Sequence, residues 1–319
     1  MKKRGIVLLL FGLSIVIITI ILGDFISKRP DKLSGNPYEL NVDSYNQVDD
    51  STLFGYNEIK NIKLDSSHLK GIAYSNNKIY ILGNDFLQVI SPEGKELLRK
   101  NLNNFPKCIT VSDKIIYIGF IDHIESYTLA GELLTKWDTL DSNTVLTSLA
   151  VKDDLIFAAD AGNRRVLRYK ITGEYLGKFE GKSDTSLHGF IIPSPYFDLA
   201  INEEGELWVV NPGKHALEQY SYDGRLIGFW ENASFNVEGF SGCCNPAQMA
   251  ILPDGSFVTS EKGLVRIKVH KPSGELLYVV GLSDNFDNAF LAPDLAVTPA
   301  GLIYALDFDN GMIRVYQLK

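Results

Sequence analysis

From about residue 69 to the C-terminus, apolar positions come in short runs whose order repeats six times. A small or polar residue precedes two or three apolar ones. A turn follows, then a second apolar run, another turn, a third run ending in an aromatic residue, and usually a glycine before a fourth run. The clearest copy reads Ser148-Leu149-Ala150-Val151, Leu155-Ile156-Phe157-Ala158, Val166-Leu167-Arg168-Tyr169, Gly173, then Tyr175-Leu176-Gly177-Lys178-Phe179. Repeats of about 40 residues built from four short strands predict an all-β fold of propeller blades. A lone blade leaves both faces of its sheet uncovered, so the copies must stack into one cooperative six-bladed β-propeller.

Aligned on their first strands, the copies start at Gly71, Cys108, Ser148, Asp198, Gln248 and Asp294. Turn residues able to take positive φ separate first from second strands: Asn76-Asn77, Asp153-Asp154, Glu204-Gly205, Asp254-Gly255 and Ala300-Gly301. Gly94, Gly131, Gly173, Gly224 and Gly274 mark the turns into the fourth strands, spaced by 37, 42, 51 and 50 residues. The longer intervals place insertions before blades four and five, around 180–195 and 231–245. The sixth copy stops after its third strand, Ile313-Arg314-Val315-Tyr316. The alternating segment Tyr56 to Leu64 is expected to supply the missing fourth strand and remove the exposed sheet edges. The usual alanine second in each first strand is expected to relieve crowding at the centre.

The N-terminus follows another pattern. Lys2, Lys3 and Arg4 precede an apolar stretch from Ile6 to Leu22, diluted only by Gly12, Ser14 and Thr19. As a helix it spans roughly 25 Å, close to a bilayer's hydrocarbon thickness. It is expected to be a transmembrane helix acting as a signal anchor. A cleaved signal peptide is the rival, although Leu22 to Ser27 offers no small-residue cleavage pattern. No cysteine follows, which argues against a lipoprotein anchor. Lys28, Arg29 and Lys32 balance the basic residues ahead of the helix. The short N-terminal tail therefore decides the expected orientation, with the propeller on the extracytoplasmic (periplasmic or extracellular) side. The expected organisation is an anchor at 1–23, a polar tether at 24–52 and the propeller at 53–319.

Composition changes the picture in one respect. The chain has 319 residues, 31 Lys and Arg against 39 Asp and Glu, and a net charge of −8. No basic run occurs in the repeats, so nucleic acid is not an expected partner.

Blade three carries Asp160-Ala161-Gly162-Asn163-Arg164-Arg165-Val166. It resembles the NHL repeat, in which an Asp and then Asn-x-Arg link the second and third strands. Blade six has a looser version, Asp307-Phe308-Asp309-Asn310 with Arg314, and blade four keeps Asn211-Pro212-Gly213 with Tyr220. The resemblance implies a six-bladed propeller and implies no activity, because rings of this type serve as protein-binding, RNA-binding, lyase and signalling modules. Asn163 and Arg164 are expected to brace the loop between strands.

Candidate chemistry gathers in two places. The blade starts line a central funnel, so Cys108, Ser148, Asp198, Gln248 and Asp294 are candidate ligand-binding residues. They suit a divalent cation through oxygen ligands, or simply water and loop amides. No resident cofactor is expected beyond that cation. The second place is Gly239-Phe240-Ser241-Gly242-Cys243-Cys244-Asn245-Pro246, entering blade five. Cys243 and Cys244 suit a vicinal disulfide clip, inert thiols, or redox or soft-metal chemistry. His68 and His188, in loops leading into blades one and four, are placed near the channel mouth. Glu261, Lys262 and Arg266 read as a surface ion pair. No HExxH, Gly-x-Ser-x-Gly or phosphate-loop motif is present.

Three functions follow as expectations. The first is a membrane-tethered scaffold that binds a protein or ligand, which leans away from an enzyme. The alternative is a metal-dependent lactonase- or lyase-like propeller enzyme with its site in the funnel. The third is a partner of a membrane redox complex using the cysteine pair.

Overall fold

The computed structural model describes residues 2–27, 45, 48, 50–66, 68–182, 189–286 and 291–319. The chain divides into two compact units, residues 1–42 and 43–319. In the first, α1 runs Lys2–Ser27, and its apolar side chains from Phe11 to Leu22 are exposed. Among the described residues, no helix is long and apolar enough to cross a membrane. The side chains described in α1 are those of Gly5 and residues 11–23, only part of the apolar stretch.

The second unit contains six antiparallel sheets of four strands, one for each sequence repeat. The first strands are Leu69–Ser75, Cys108–Val111, Leu146–Lys152, Leu199–Ile201, Gln248–Ile251 and Asp294–Val297. They contact one another in cyclic order, and the sixth touches the first. Closure is made by Tyr56–Lys63, which pairs antiparallel with Met312–Leu318, from Tyr56 opposite Leu318 to Lys63 opposite Met312. The N-terminal segment thus completes blade six. The second unit also reaches back into the expected tether, where Tyr45 packs on Phe235 with ring centroids 5.4 Å apart.

Stacking buries the faces that no single blade can cover. Among the described residues there are six hydrophobic clusters, one between each pair of neighbouring blades. Between blades three and four, for instance, Phe157, Val166 and Phe179 meet Phe190, Phe197 and Tyr220. At about 25 cal/mol per Å² of apolar surface, these shared layers are the main favourable term.

The glycines before the fourth strands have two physical roles. Gly173 and Gly274 hold φ of 92° and 89°, which L side chains rarely adopt. Each also faces a tryptophan of the preceding blade's outer strand region. A Cβ would lie 2.9 Å from Trp137 at Gly173, and 2.7 Å from Trp230 at Gly274. The turn glycine is therefore also an interblade contact.

Candidate functional site

The propeller has two unlike mouths. Hairpin turns between first and second strands surround one, where Asn76, Asp113, Glu203, Pro253 and Pro299 line a common cavity. The blade-to-blade crossovers surround the other. There a cavity of about 620 Å³ opens into the channel, lined by Cys108, Ser148, Asp198, Gln248 and Asp294 together. Gly71 stands beside Asp294, with its Cβ position 3.4 Å from Oδ2. Ala73, Ala150, Ala200, Ala250 and Ala296 line the same cavity. The small side chains face this open space, so they set its bore where the sequence suggested relief of crowding.

The inner-ring polar groups fasten neighbouring blades. Asp198 accepts from its own neighbour Leu199 N at 2.9 Å and, across the gap, from Met249 N of blade five at 2.6 Å. Asp294 repeats the device, accepting from Leu295 N at 2.9 Å and from Ile72 N of blade one at 2.8 Å. Leu199 N lies 3.4 Å from Ser148 Oγ, joining blades three and four. Burial raises the pKa of Asp198 to about 6, although donors from Ser148, Met249 and Leu199 oppose it. Burial, then the Asp198 charge, raises that of Asp294 to about 7. Burial and the two aspartates push the Cys108 thiol up, which favours its neutral form. Among the described residues, no three His, Cys, Asp or Glu side chains converge as a metal would require. Both carboxylates already accept two backbone N–H groups, so the residues fit a dedicated divalent-cation site poorly.

The blade-five crossover is organised more deeply than its sequence suggested. Glu261, Arg266 and Lys268 are fully buried, which corrects the reading of a surface ion pair. Arg266 Nε and Nη2 donate to the two Glu261 oxygens at 2.8 and 2.7 Å, and Lys268 Nζ lies 2.9 Å from Oε1. The cations also bind crossover carbonyls: Arg266 those of Phe235, Asn236 and Gly239, and Lys268 those of Val237 and Gly239. Burial pushes the Glu261 carboxyl up, but Lys268 and Arg266 outweigh it and hold the pKa below the usual range. Burial lowers Lys268 to about 8 against the pull of Glu261. Lys262, the third residue of the expected pair, instead sits over the Tyr196 ring at 5.0 Å.

This clamp fixes the cysteine segment. Ser241 N donates to Glu261 Oε2 at 2.9 Å. Asn245 Nδ2 donates to Ser241 O and Lys262 O at 2.7 and 2.9 Å, and Lys262 N donates back to Asn245 Oδ1 at 2.9 Å. Cys243 is exposed, Cys244 is buried, and both are free thiols with sulfurs 3.1 Å apart. Cys108 is a third, buried thiol.

Of the remaining candidates, His68 is exposed and does not line the channel cavity. His188 lies outside the described residues. The bracing expected of Asn163 and Arg164 belongs to Asn163 and Arg165. Asn163 Nδ2 and Arg165 Nε each donate to Asp160 Oδ2 at 2.8 Å, while Arg164 takes a φ of 53°. The sequence reading missed His123, buried with Nδ1 2.7 Å from Asp122 Oδ1 and Nε2 3.2 Å from Glu125 Oε1. The available signal was the alternation of His123 and Glu125, which puts both on one face of the strand.

No family model matches the chain, and no curated protein does. Solved structures do. A catalytically inactive virginiamycin B lyase from Staphylococcus aureus, solved with quinupristin, superposes with a TM-score of 0.57 at 13% identity, covering 80% of this chain and 82% of that one. A streptogramin B lyase gives 0.58 at 11% identity, covering 85% and 100%. The WD40 β-propeller domain of Doa1 gives 0.53 at 12% identity, covering 83% and 98%. At these identities the likeness extends to the fold, a propeller architecture found in lyases and WD40 domains alike.

Proposed function

We propose that the chain is a membrane-anchored propeller displayed on the extracytoplasmic side, where it acts as a binding scaffold and engages another protein through its crossover mouth. The observation that supports this is the contrast between the mouths. Phe105, Ile121, Ile191, Phe235 and Leu291 are exposed large apolar residues in the loops of the crossover side. The described hairpin turns between first and second strands expose none of that kind. Exposed apolar side chains carried on the loops of several blades on one side, with none on the described turns of the other, favour protein contact on that side. The anchor reading rests on the apolar run after Lys2-Lys3-Arg4.

The test is affinity purification of the intact, detergent-extracted chain. A Phe105→Glu, Ile121→Glu, Leu291→Glu variant should lose the partner that the wild type retains, while an Asp113→Lys, Glu203→Lys variant keeps it. A partner unaffected by the first variant would sink the reading. Protease added to spheroplasts with an intact inner membrane should cleave the propeller; protection there, with cleavage once the membrane is dissolved, would refute the orientation.

A funnel enzyme of the lactonase or lyase-like kind is the second reading. It is favoured by one observation, that Asp198 and Asp294 share a cavity and the Asp198 charge helps raise the pKa of Asp294. Because both carboxylates already accept two backbone N–H groups, this reading stands only if a stoichiometric divalent ion is found and is lost in an Asp198→Ala, Asp294→Ala variant. Metal analysis of the purified chain decides it.

A further inference from the structure

We propose that Cys243 and Cys244 form a thiol–disulfide exchange site, with Cys243 attacking an incoming disulfide and Cys244 resolving the adduct. Three observations carry this, independently of the scaffold reading.

The first is placement. Consecutive residues on an extended strand point to opposite sides. Here the turn at Gly242, with φ of 71° and open space beside it, precedes a pair whose sulfurs lie 3.1 Å apart. One sulfur faces solvent and the other is buried behind it, the division of labour that attack and resolution require.

The second is rigidity. Ser241 on one side is held by Glu261, and Asn245 on the other by the Lys262 backbone. His215 Nδ1 adds a contact to Asn245 O at 3.1 Å. Glu261 is itself fixed by two buried cations. The dithiol is thus mounted on a fully satisfied buried network, so its two sulfurs stay within reach of each other.

The third is charge. Burial opposes a thiolate at Cys244, but Ser194, the Cys243 thiol and Lys262 outweigh it and lower the Cys244 pKa. The buried Ser194 hydroxyl has no hydrogen-bond partner in this geometry. Cys243 is raised, chiefly by its hydrogen bond with Cys244. One proton is therefore shared along the S–H···S contact, beside an ammonium group. That ammonium favours a thiolate and repels a metal cation, which selects exchange over soft-metal binding.

The chemistry balances as follows. Cys243 attacks one sulfur of the incoming disulfide as its proton passes to Cys244. The incoming S–S bond breaks, and the departing thiolate takes up that proton. Cys244, again a thiolate, attacks the Cys243 sulfur and expels the second thiolate, which is protonated by water. The chain loses two electrons and the one proton its thiol–thiolate pair held and gains one S–S bond, while the incoming disulfide takes that proton and one from water to become two thiols.

The reduced full chain is exposed to glutathione disulfide across graded glutathione ratios, then unfolded, alkylated and weighed intact. The wild type should lose two alkylatable thiols in one step and keep the third at Cys108. Cys244→Ser should stall with one glutathione on Cys243, and Cys243→Ser should take none. Lys262→Gln should slow alkylation of the native pair about three- to tenfold at neutral pH and move its pH midpoint upward. Three alkylatable thiols in the wild type throughout the range would overturn the proposal. So would a Cys244→Ser chain that keeps the wild-type unfolding midpoint yet gains no adduct.

Discussion

Blade three closes its second strand on Asp160, and blade five follows its second strand with Glu261. Both acids reach back to the crossover that enters their own blade. Asp160 accepts from Val145 N at 3.0 Å, and Glu261 from Ser241 N at 2.9 Å. Their cations differ in surroundings. Arg165 is 13% exposed and extends to Asp141, which is 48% exposed. Arg266 and Lys268 are wholly enclosed. Loop length explains the difference. The crossover into blade five runs from residue 232 to 247 and folds over its own anchor, whereas that into blade three occupies only 137–145. A long crossover exposes many backbone carbonyls, and two buried cations satisfy them where water cannot reach. The same fastening position thus carries different stakes: a half-open clip in one blade, a sealed charge cluster in the other.

The largest effect is expected from Glu261→Gln. It leaves two cations enclosed without their counter-charge and should cost about 3–5 kcal/mol in urea unfolding. A loss below about 1 kcal/mol would show that the enclosure is not sealed. Asp198 and Asp294 supply an enclosed case with no cation. Their native pKa values of about 6 and 7 lie above the unfolded carboxyl value, so the native state holds protons that the unfolded chain has released. Their contribution is fully present below about pH 4 and is lost as pH rises through 6 and 7. Acidifying from pH 8 to pH 5 should therefore add about 2–4 kcal/mol from these groups. An Asp198→Asn, Asp294→Asn variant should flatten that slope, and an unchanged slope would assign it elsewhere. Arg165→Ala, at the half-open clip, should cost about 1–2 kcal/mol through lost charge-assisted hydrogen bonds. Asp141→Ala, at its exposed end, should cost the least of these variants. Equal losses for Glu261→Gln and Asp141→Ala would erase the contrast between the blades.

The architecture was legible because it depends on periodicity. Six runs of Leu-Ala-Val type, turn residues at fixed offsets and an unpaired third strand at Tyr316 leave one arrangement, with Tyr56–Lys63 as the closing strand. Alignment also brought Cys108, Ser148, Asp198, Gln248 and Asp294 to one level of the channel. What it could not carry is where a carboxylate's lone pairs go. Asp198 bonds a backbone N–H in another blade, and backbone donors leave no residue-type signature. Blade five was opaque for a related reason. Glu261, Lys262 and Arg266 read as a solvated cluster; Arg266 is indeed a partner of Glu261, but the second cation is not the adjacent Lys262 but Lys268, on the next strand. The other partners are carbonyls of an insertion whose path no local pattern records.

The join between Tyr56–Lys63 and Met312–Leu318 has a consequence in time. Of the described β-segments the first to leave the ribosome, Tyr56–Lys63, waits for its partner some 250 residues later. Until synthesis reaches Met312, blade six lacks its third strand and the early segment has an unpaired edge. The growing chain is thus vulnerable to mispairing until Met312–Leu318 has emerged to cover that edge.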